Sequence, residues 1–436
     1  YSVDEKWHIP HFEKMLYDNG QLVSLYSDAY LINKNELYKE TVYNTLEFIE
    51  RELLHENGGF YASLDADSMN EENELEEGAF YVWKKEELEK IIGSEFELFS
   101  QYYNINEYGF WENNAYNLIR SKTDDEFAIL NNIEITDLKK IVDQWKNKLL
   151  VERAKRQPPR LDDKILTSWN ALMLKGYIDA YRVFNDNHFL DIALKNASFL
   201  EENIIKNDGS LFRSYKNKKA TINAYLEDYA TLIEAYISLY EVSLEDKWVL
   251  LAKKLSDYTF EHFYDKDSNM FFFTSDIDSK LITKKTELED NVIPSSNSIM
   301  AKNLTKLGHF FEDANYLKTS RQMVHNIAPL IENYPSSYSN WLDIYTHLSG
   351  SFYELAIVGE DAIQKIKEVN KHYIPNKVIC GRVSDIKNKS FSENEAEFPL
   401  LKNRFIQGTT MIYVCVNNSC NFPTNDSSIA LKQLSN

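Results

Sequence analysis

The chain has 436 residues, 43% of them hydrophobic and 14% aromatic, enough to bury one or two substantial cores and too many for a single small sandwich. With 13 Gly and 9 Pro it is short of the turn residues a β-rich protein of this length needs, so long helices are expected. A formal charge of −20 repels phosphate backbones and anionic bilayers, which argues against nucleic acid and membrane as partners and leaves neutral ligands such as sugars open.

In chain order, "HIPHFEKMLYDNG" (His8 to Gly20) reads as the head of a long amphipathic helix, because Phe12, Met15, Leu16, Tyr17, Leu22, Val23 and Tyr26 recur at helical spacing. A second helix, "ELYKETVYNTLEFIERELLHEN", and an aromatic turn, "GGFYASLDADS", complete a first hairpin. An insertion follows: a helix within "EGAFYVWKKEELEKIIGSEFELFSQYYNI", an extended or looped stretch at 109–120, and a charged helix that Pro158 and Pro159 stop. The hairpin plan then returns three times, starting at "ILTSWNALMLKGYIDAYRVF", "LEDYATLIEAYISLYEV" and "PSSNSIMAKNLTKLGHFF", and closes on "SSYSNWLDIYTHLSG". From about Phe352 the runs "YELAIVG", "KVICGRVS" and "MIYVCVN" are short and β-rich, with one helix between the first two and a polar loop at 388–397.

Hairpins that are apolar on both helices bury those faces only by stacking sideways. The first helix of each pair is rich in aromatic and small residues, the second in Lys and Glu. That asymmetry predicts inner and outer layers: an all-α fold, an (α/α)6 toroid over residues 1–351, with a small α/β region at 352–436. Cys380, Cys415 and Cys420 form an odd, sparse set, which predicts no disulfide framework and fits a reducing, cytoplasmic compartment. No metal ligand set and no cofactor motif stands out, and no apolar run is long enough to span a bilayer.

In such a ring the inner helices run parallel, so their unpaired N–H groups and positive dipole ends gather at one mouth. The residues leading into those helices are therefore the candidates. As acids and bases these are His11, Glu13, Asp67, Asp163 and Asp228, with Asp163 or Asp228 as acid or base and His11 as its partner. As ligand contacts they are Trp7, Tyr17, Trp83, Arg160, Lys164, Trp169, Asn170, Tyr229 and Asn297. Carboxylates set among flat apolar rings suit a carbohydrate, whose CH faces stack and whose hydroxyls need paired partners. Each residue also has a structural reading: acids before helices cap them, histidines fasten loops, and buried Trp and Tyr pack cores.

The segments "YSVDEKWHIPHFEKMLYDNGQL", "SLDADS", "EGAFYVW", "PPRLDDKILTSWNALM", "LEDYATLIEAYISLYE", "PSSNS" and "YVCVNNSCNFPT" together resemble the thioredoxin-domain-containing spermatogenesis-associated protein family. The resemblance implies an N-terminal thioredoxin-like domain, absent from this chain, followed by a six-hairpin toroid similar to N-acylglucosamine 2-epimerases and glycosidases. The chain begins inside a motif and so reads as part of a longer protein. The expected function is a carbohydrate-active enzyme, hydrolase-like or epimerase-like. The alternative is a non-catalytic glycan- or peptide-binding or scaffold module accompanying the thioredoxin-like domain. An epimerase needs bases on both faces of its substrate, and a glycosidase needs two carboxylates flanking the scissile bond.

Overall fold

The structure, a computed structural model, describes residues 2, 5, 7–279, 282–383, 398–417 and 419–434. The polar loop expected at 388–397 lies outside the described residues. In chain order the helices are α1 (Leu16–Asn33), α2 (Glu36–Glu52), α3 (Lys85–Ile92), α4 (Phe96–Tyr102), α5 (Asp124–Asn131) and α6 (Ile135–Arg153). They continue with α7 (Thr167–Phe184), α8 (Asn187–Asn203), α9 (Leu226–Ser243), α10 (Asp246–His262), α11 (Ser296–Phe311), α12 (Ala314–Asn333) and α13 (Ser339–Ser349). The tail holds α14 (Ala362–Val369) and α15 (Ser427–Gln433). The chain divides into two compact units, Tyr1–Met15 with Ser63–Asp162, and Leu16–Ala62 with Asp163–Asn436.

The larger unit is the helical toroid with its small α/β appendage. Four hairpins, α1/α2, α7/α8, α9/α10 and α11/α12, share one inner-to-outer turn of two residues. The first residue of that turn is left-handed and the second caps the outer helix: Lys34-Asn35, Asn185-Asp186, Leu244-Glu245 and Glu312-Asp313. The Asn and Asp caps accept from first-turn amides, which satisfies groups the helix itself leaves unpaired. A turn this short forces the outer helix antiparallel against its inner partner. The inner helices lie side by side. Where α1 meets α7, a Cβ on Gly20 would stand 2.8 Å from the Leu172 carbonyl, and one on Gly176 would stand 2.8 Å from the Gly20 oxygen. Only glycine admits so close an approach. α1, α7, α9, α11 and α13 each lend a residue (Asp28, Lys175, Glu234, Lys302 and His347) to one cavity of about 200 Å³. These five are thus the inner layer of the ring.

The appendage sheet runs in the order Lys377–Arg382, Tyr353–Val358, Met411–Val416, Ser419–Cys420. The first two strands are parallel, joined through α14, and the others are antiparallel. Leu355, Ile357, Ile366, Ile379 and Val414 form its core. Among the bonds that tie it to the ring, Glu354 meets His309 Nδ1 at 2.7 Å, the Tyr240 hydroxyl donates to the Gly381 carbonyl at 3.3 Å, the Ile379 amide donates to Glu241 at 3.1 Å and Arg382 donates to Asp246 at 2.8 Å. The pairing of Cys415 opposite Cys420 brings their Cα atoms to 3.8 Å, and the two are joined in a disulfide. This bridge departs from the expectation that the sparse cysteine set forms no disulfide framework: two cysteines five positions apart become direct neighbours once the chain folds back as a strand pair. Cys380 remains free and buried.

The smaller unit has its own core, in which Trp83, Phe99, Tyr102 and Trp145 pack between α3, α4, α5 and α6. The stretch at 109–120 is partly extended, with Ala115–Tyr116 pairing with Trp83–Lys84. The opening helix starts later than its apolar spacing suggests. Residues 11–13 are irregular, Lys14–Met15 pairs with Ser63–Leu64, and α1 begins at Leu16. Strand pairing there gives the backbone of 14 and 15 partners that a free helix start lacks.

Candidate functional site

The sequence-derived candidates fall in both units. In the smaller unit, His11 Nε2 stands 3.7 Å from a Glu77 oxygen, and Glu77 lies directly opposite Asp67 across the strand pair Asp67–Met69 and Leu75–Glu77. His11 and Asp67 therefore meet around Glu77, an acid that sequence reading did not single out. Glu13 is exposed, and Trp7 is 77% exposed with a left-handed backbone. Arg160 holds Asp65, donating from two nitrogens at 3.1 and 2.6 Å, and those bonds keep the Asp65 carboxyl below the usual range. Trp83 is buried in the core with the Arg156 guanidinium 4.1 Å over its ring.

In the larger unit, three of the expected ligand contacts clamp backbone. Asn170, in the first turn of α7, accepts from the Phe60 amide at 2.7 Å and donates to the Phe60 carbonyl at 3.0 Å. Asn297, at the start of α11, holds Phe271 in the same two-sided way at 2.9 Å each. The Tyr229 hydroxyl, in the first turn of α9, accepts from the Leu211 amide at 2.9 Å. Phe60, Leu211 and Phe271 sit in the returns that follow α2, α8 and α10, so each inner helix grips the hairpin before it. All three side chains are fully buried. The recurrence of polar residues at equivalent helix starts is thus a device of the ring.

What stays at the mouth is a cluster on α7, α9 and the return before α9. Asp228 is completely buried; it accepts from the Ser168 amide (3.0 Å), the Tyr225 amide (3.0 Å) and the Arg213 guanidinium (2.9 Å). Its neighbour Glu227 keeps 16% of its side-chain surface, accepts from the Ser168 hydroxyl at 2.7 Å and lies 3.5 Å from Arg213. The Arg213 guanidinium covers the Tyr225 ring at 4.8 Å, and Tyr225 lies 5.0 Å from Phe273. Next to Ser168, Trp169 meets Tyr17 edge to face at 4.9 Å. Asp163 is half-exposed and bonded to Lys216 at 2.5 Å, which keeps its carboxyl below the usual range; Lys164 is exposed. Ser168 and Arg213 escaped sequence reading. The available signal was an arginine closing the aromatic return "SLFR" just before an acidic helix start.

Burial pushes the Asp228 carboxyl up to about 6, with Arg213 opposing and the adjacent Glu227 adding to the rise. The folded state then holds this proton more tightly than the unfolded chain, whose aspartate has the ordinary value of 3.8. Stability attributable to Asp228 should fall as pH rises from about 4 to about 6 and level off above, by up to about 3 kcal/mol. Urea midpoints of the wild type and Asp228→Asn across that range check this. The gap between them should widen against the wild type as pH rises, and parallel curves would contradict it.

No family model matches the chain. Spermatogenesis-associated protein 20 of Homo sapiens is 28% identical over 462 residues, which cover 98% of this chain and 58% of that protein. An uncharacterized protein of Caenorhabditis elegans is 28% identical over 452 residues, covering 97% of this chain and 61% of that one. Along almost its whole length the chain is similar to spermatogenesis-associated protein 20. It spans less than two thirds of the length of the curated relatives it matches. Among solved structures, a sugar epimerase from a ruminal bacterium superposes with a TM-score of 0.47 at 14% identity, covering 75% of this chain and 64% of that one. The GH76 α-mannanase of Bacteroides thetaiotaomicron gives 0.44 at 11% identity, covering 82% and 74%. Among the described residues no helix is long and apolar enough to cross a membrane, and no group of three or more His, Cys, Asp or Glu is arranged to hold a metal ion.

Proposed function

We propose that the ring binds a small, polyhydroxylated, sugar-like ligand at the mouth formed by the first turns of α7 and α9, and transfers a proton on it through Glu227. The observation that carries this reading is the contrast within one acidic pair. Glu227 reaches the mouth while Ser168 and Arg213 hold it, and Asp228 is sealed beneath it. A carboxylate held in place by a hydroxyl and a guanidinium while still partly exposed is positioned as a general base must be. Asp228, with both oxygens engaged, is a positioning residue: it fixes Arg213 and the start of α7. Tyr17 with Trp169, and Tyr225 with Phe273, supply flat apolar faces of the kind sugar rings stack on.

Hydrolysis asks for a second carboxylate across the scissile bond, and a buried, triply bonded Asp228 does not serve as one. The reading therefore favours isomerase-type transfer, in which one base moves a proton between neighbouring carbons, over glycoside hydrolysis and over an epimerisation that needs two bases. A second reading, a non-catalytic glycan-binding module accompanying a thioredoxin-like domain, is favoured by the same engagement of Asp228.

Titration calorimetry with mannose, N-acetylglucosamine and cellobiose, alongside NMR detection of solvent deuterium entering the sugar, tests both. The wild type should bind at least one of these and exchange. Trp169→Ala should weaken binding, and Glu227→Gln should bind comparably while losing exchange about a hundredfold or more. Binding without exchange in the wild type would select the second reading, and no binding at all would remove both.

A further inference from the structure

The cavity lies toward the other end of the inner helices, away from the mouth. α7 contributes Lys175, Asp179 and Arg182 from its second half, α9 contributes Glu234 and Glu241, and the appendage strand contributes Lys377. Its wall is built from charges at helical spacing, and most of them answer one another. Asp179 takes Lys175 at 2.6 Å, Glu241 takes Lys306 at 3.0 Å, and Asp343 takes Lys302 at 2.7 Å. Two charges remain over. Among the described residues, no carboxylate lies within ion-pair distance of Lys377, whose ammonium donates to the Ile374 carbonyl at 2.8 Å, and the Glu234 carboxylate accepts no hydrogen bond. Two more wall residues carry buried atoms without hydrogen-bond partners, His347 Nε2, which stands 3.6 Å from an Asp343 oxygen, and Asn370 Oδ1, and Asn370 is only 3% exposed. Leaving buried polar groups unmet costs stability, so so many on one wall point to an occupant that meets them.

We propose that this cavity is a binding site for a small organic anion that also carries hydroxyl groups, a hydroxylated carboxylate or phosphate monoester. Lys377 receives the anionic group, and Glu234 accepts from the hydroxyls. The neighbourhood of Lys377 is the cationic side. Burial lowers its ammonium to about 8, and Arg182 and Lys306 lower it further while Glu241 opposes. His347 is likewise lowered, first by burial, with Lys302 and Lys306 adding and Asp343 opposing. An anion placed there relieves the repulsion among these groups, whereas a second cation adds to it. The volume, about 200 Å³, suits a single sugar-sized molecule and excludes a polymer. Solvent reaches the site: Lys306 keeps 26% of its side-chain surface and Asp343 keeps 42%. Hydroxyls rather than a bare anion are called for because Glu234 would repel an acceptor and needs a donor. This site shares no residue with the mouth, so it stands or falls independently of the activity proposed there.

Titration calorimetry of the whole chain with glucose 6-phosphate, gluconate, inorganic phosphate and glucose provides the test. At least one of the two hydroxylated anions should bind, more tightly than glucose and inorganic phosphate by about tenfold or more, with affinity falling as salt rises. Lys377→Met should lose at least tenfold, Lys377→Arg should restore most of it, and Glu234→Gln should weaken the hydroxylated anions more than inorganic phosphate. Circular dichroism melting confirms that each variant is folded. Failure of both hydroxylated anions to bind, glucose binding as tightly as they do, or unchanged affinity in folded Lys377→Met would overturn the proposal.

Discussion

Replacing Asp179 with alanine should lower the unfolding free energy by about 3–5 kcal/mol, the loss usual when one partner of a buried ion network is removed. Asp179 is almost fully buried, accepts from Lys175 Nζ at 2.6 Å, and takes two Arg182 nitrogens at 3.2 Å; Arg182 also bonds Asp28. Burial alone would raise its carboxyl. Lys175 and Arg182 overcome that and hold it well below the usual range. Alanine leaves Lys175 without a direct ion-pair partner, answered only at longer range by Glu234 and Asp28, and Arg182 with one carboxylate fewer, and the cost is that of stranding charge away from water. The double change Asp179→Ala with Lys175→Met should recover part of the loss, because it removes one stranded charge. Equilibrium urea unfolding measures both. A loss below about 1 kcal/mol would mean the cavity wall is hydrated enough to replace the missing carboxylate.

Asn170→Ala should cost on the order of 2–4 kcal/mol, because it strands the Phe60 amide and carbonyl inside a packed turn. Asn297→Ala should cost a similar amount at Phe271, and with no shared partners the two losses should add. The check is denaturant unfolding of the single and double variants, together with hydrogen exchange at the Phe60 amide, which should lose protection in the first variant and keep it in the second. A double variant no worse than either single one would show that the clamps are not independent.

The helical hairpins were readable because their apolar spacing is strong and their turns are short. The start of α1 was not, since Phe12 and Met15 continue the helical spacing although Lys14 and Met15 belong to a strand pair formed with residues about 50 positions later. The mouth was half legible. Acids and amides at helix starts were recognised, but nothing local distinguishes Asn170, which grips backbone, from Glu227, which reaches solvent. Only the partner 110 residues away tells them apart. The charged cavity was missed for a related reason. Lys175, Asp179 and Arg182 fall at i, i+4 and i+7 on α7, a pattern identical to that of a solvated helix face. The clue was that Leu174, Tyr177, Ile178 and Tyr181 surround them, leaving α7 with no polar face to spare. The Cys415–Cys420 bridge could not be read from a count of three cysteines, because it depends on how tightly one β-hairpin closes.

The cavity draws its walls from distant parts of the larger unit: Asp28 from its first helix, Asn370 from the end of α14 and Lys377 from the strand Lys377–Arg382. During synthesis that enclosure is incomplete until the segment carrying Asn370 and Lys377 has left the ribosome. Up to then the acids and bases of the inner helices sit in bulk water, where mutual attraction is weak and hydration is cheap. Docking of this segment therefore brings the acids and bases of the inner helices into a more enclosed setting, where their mutual attraction is stronger than in bulk water.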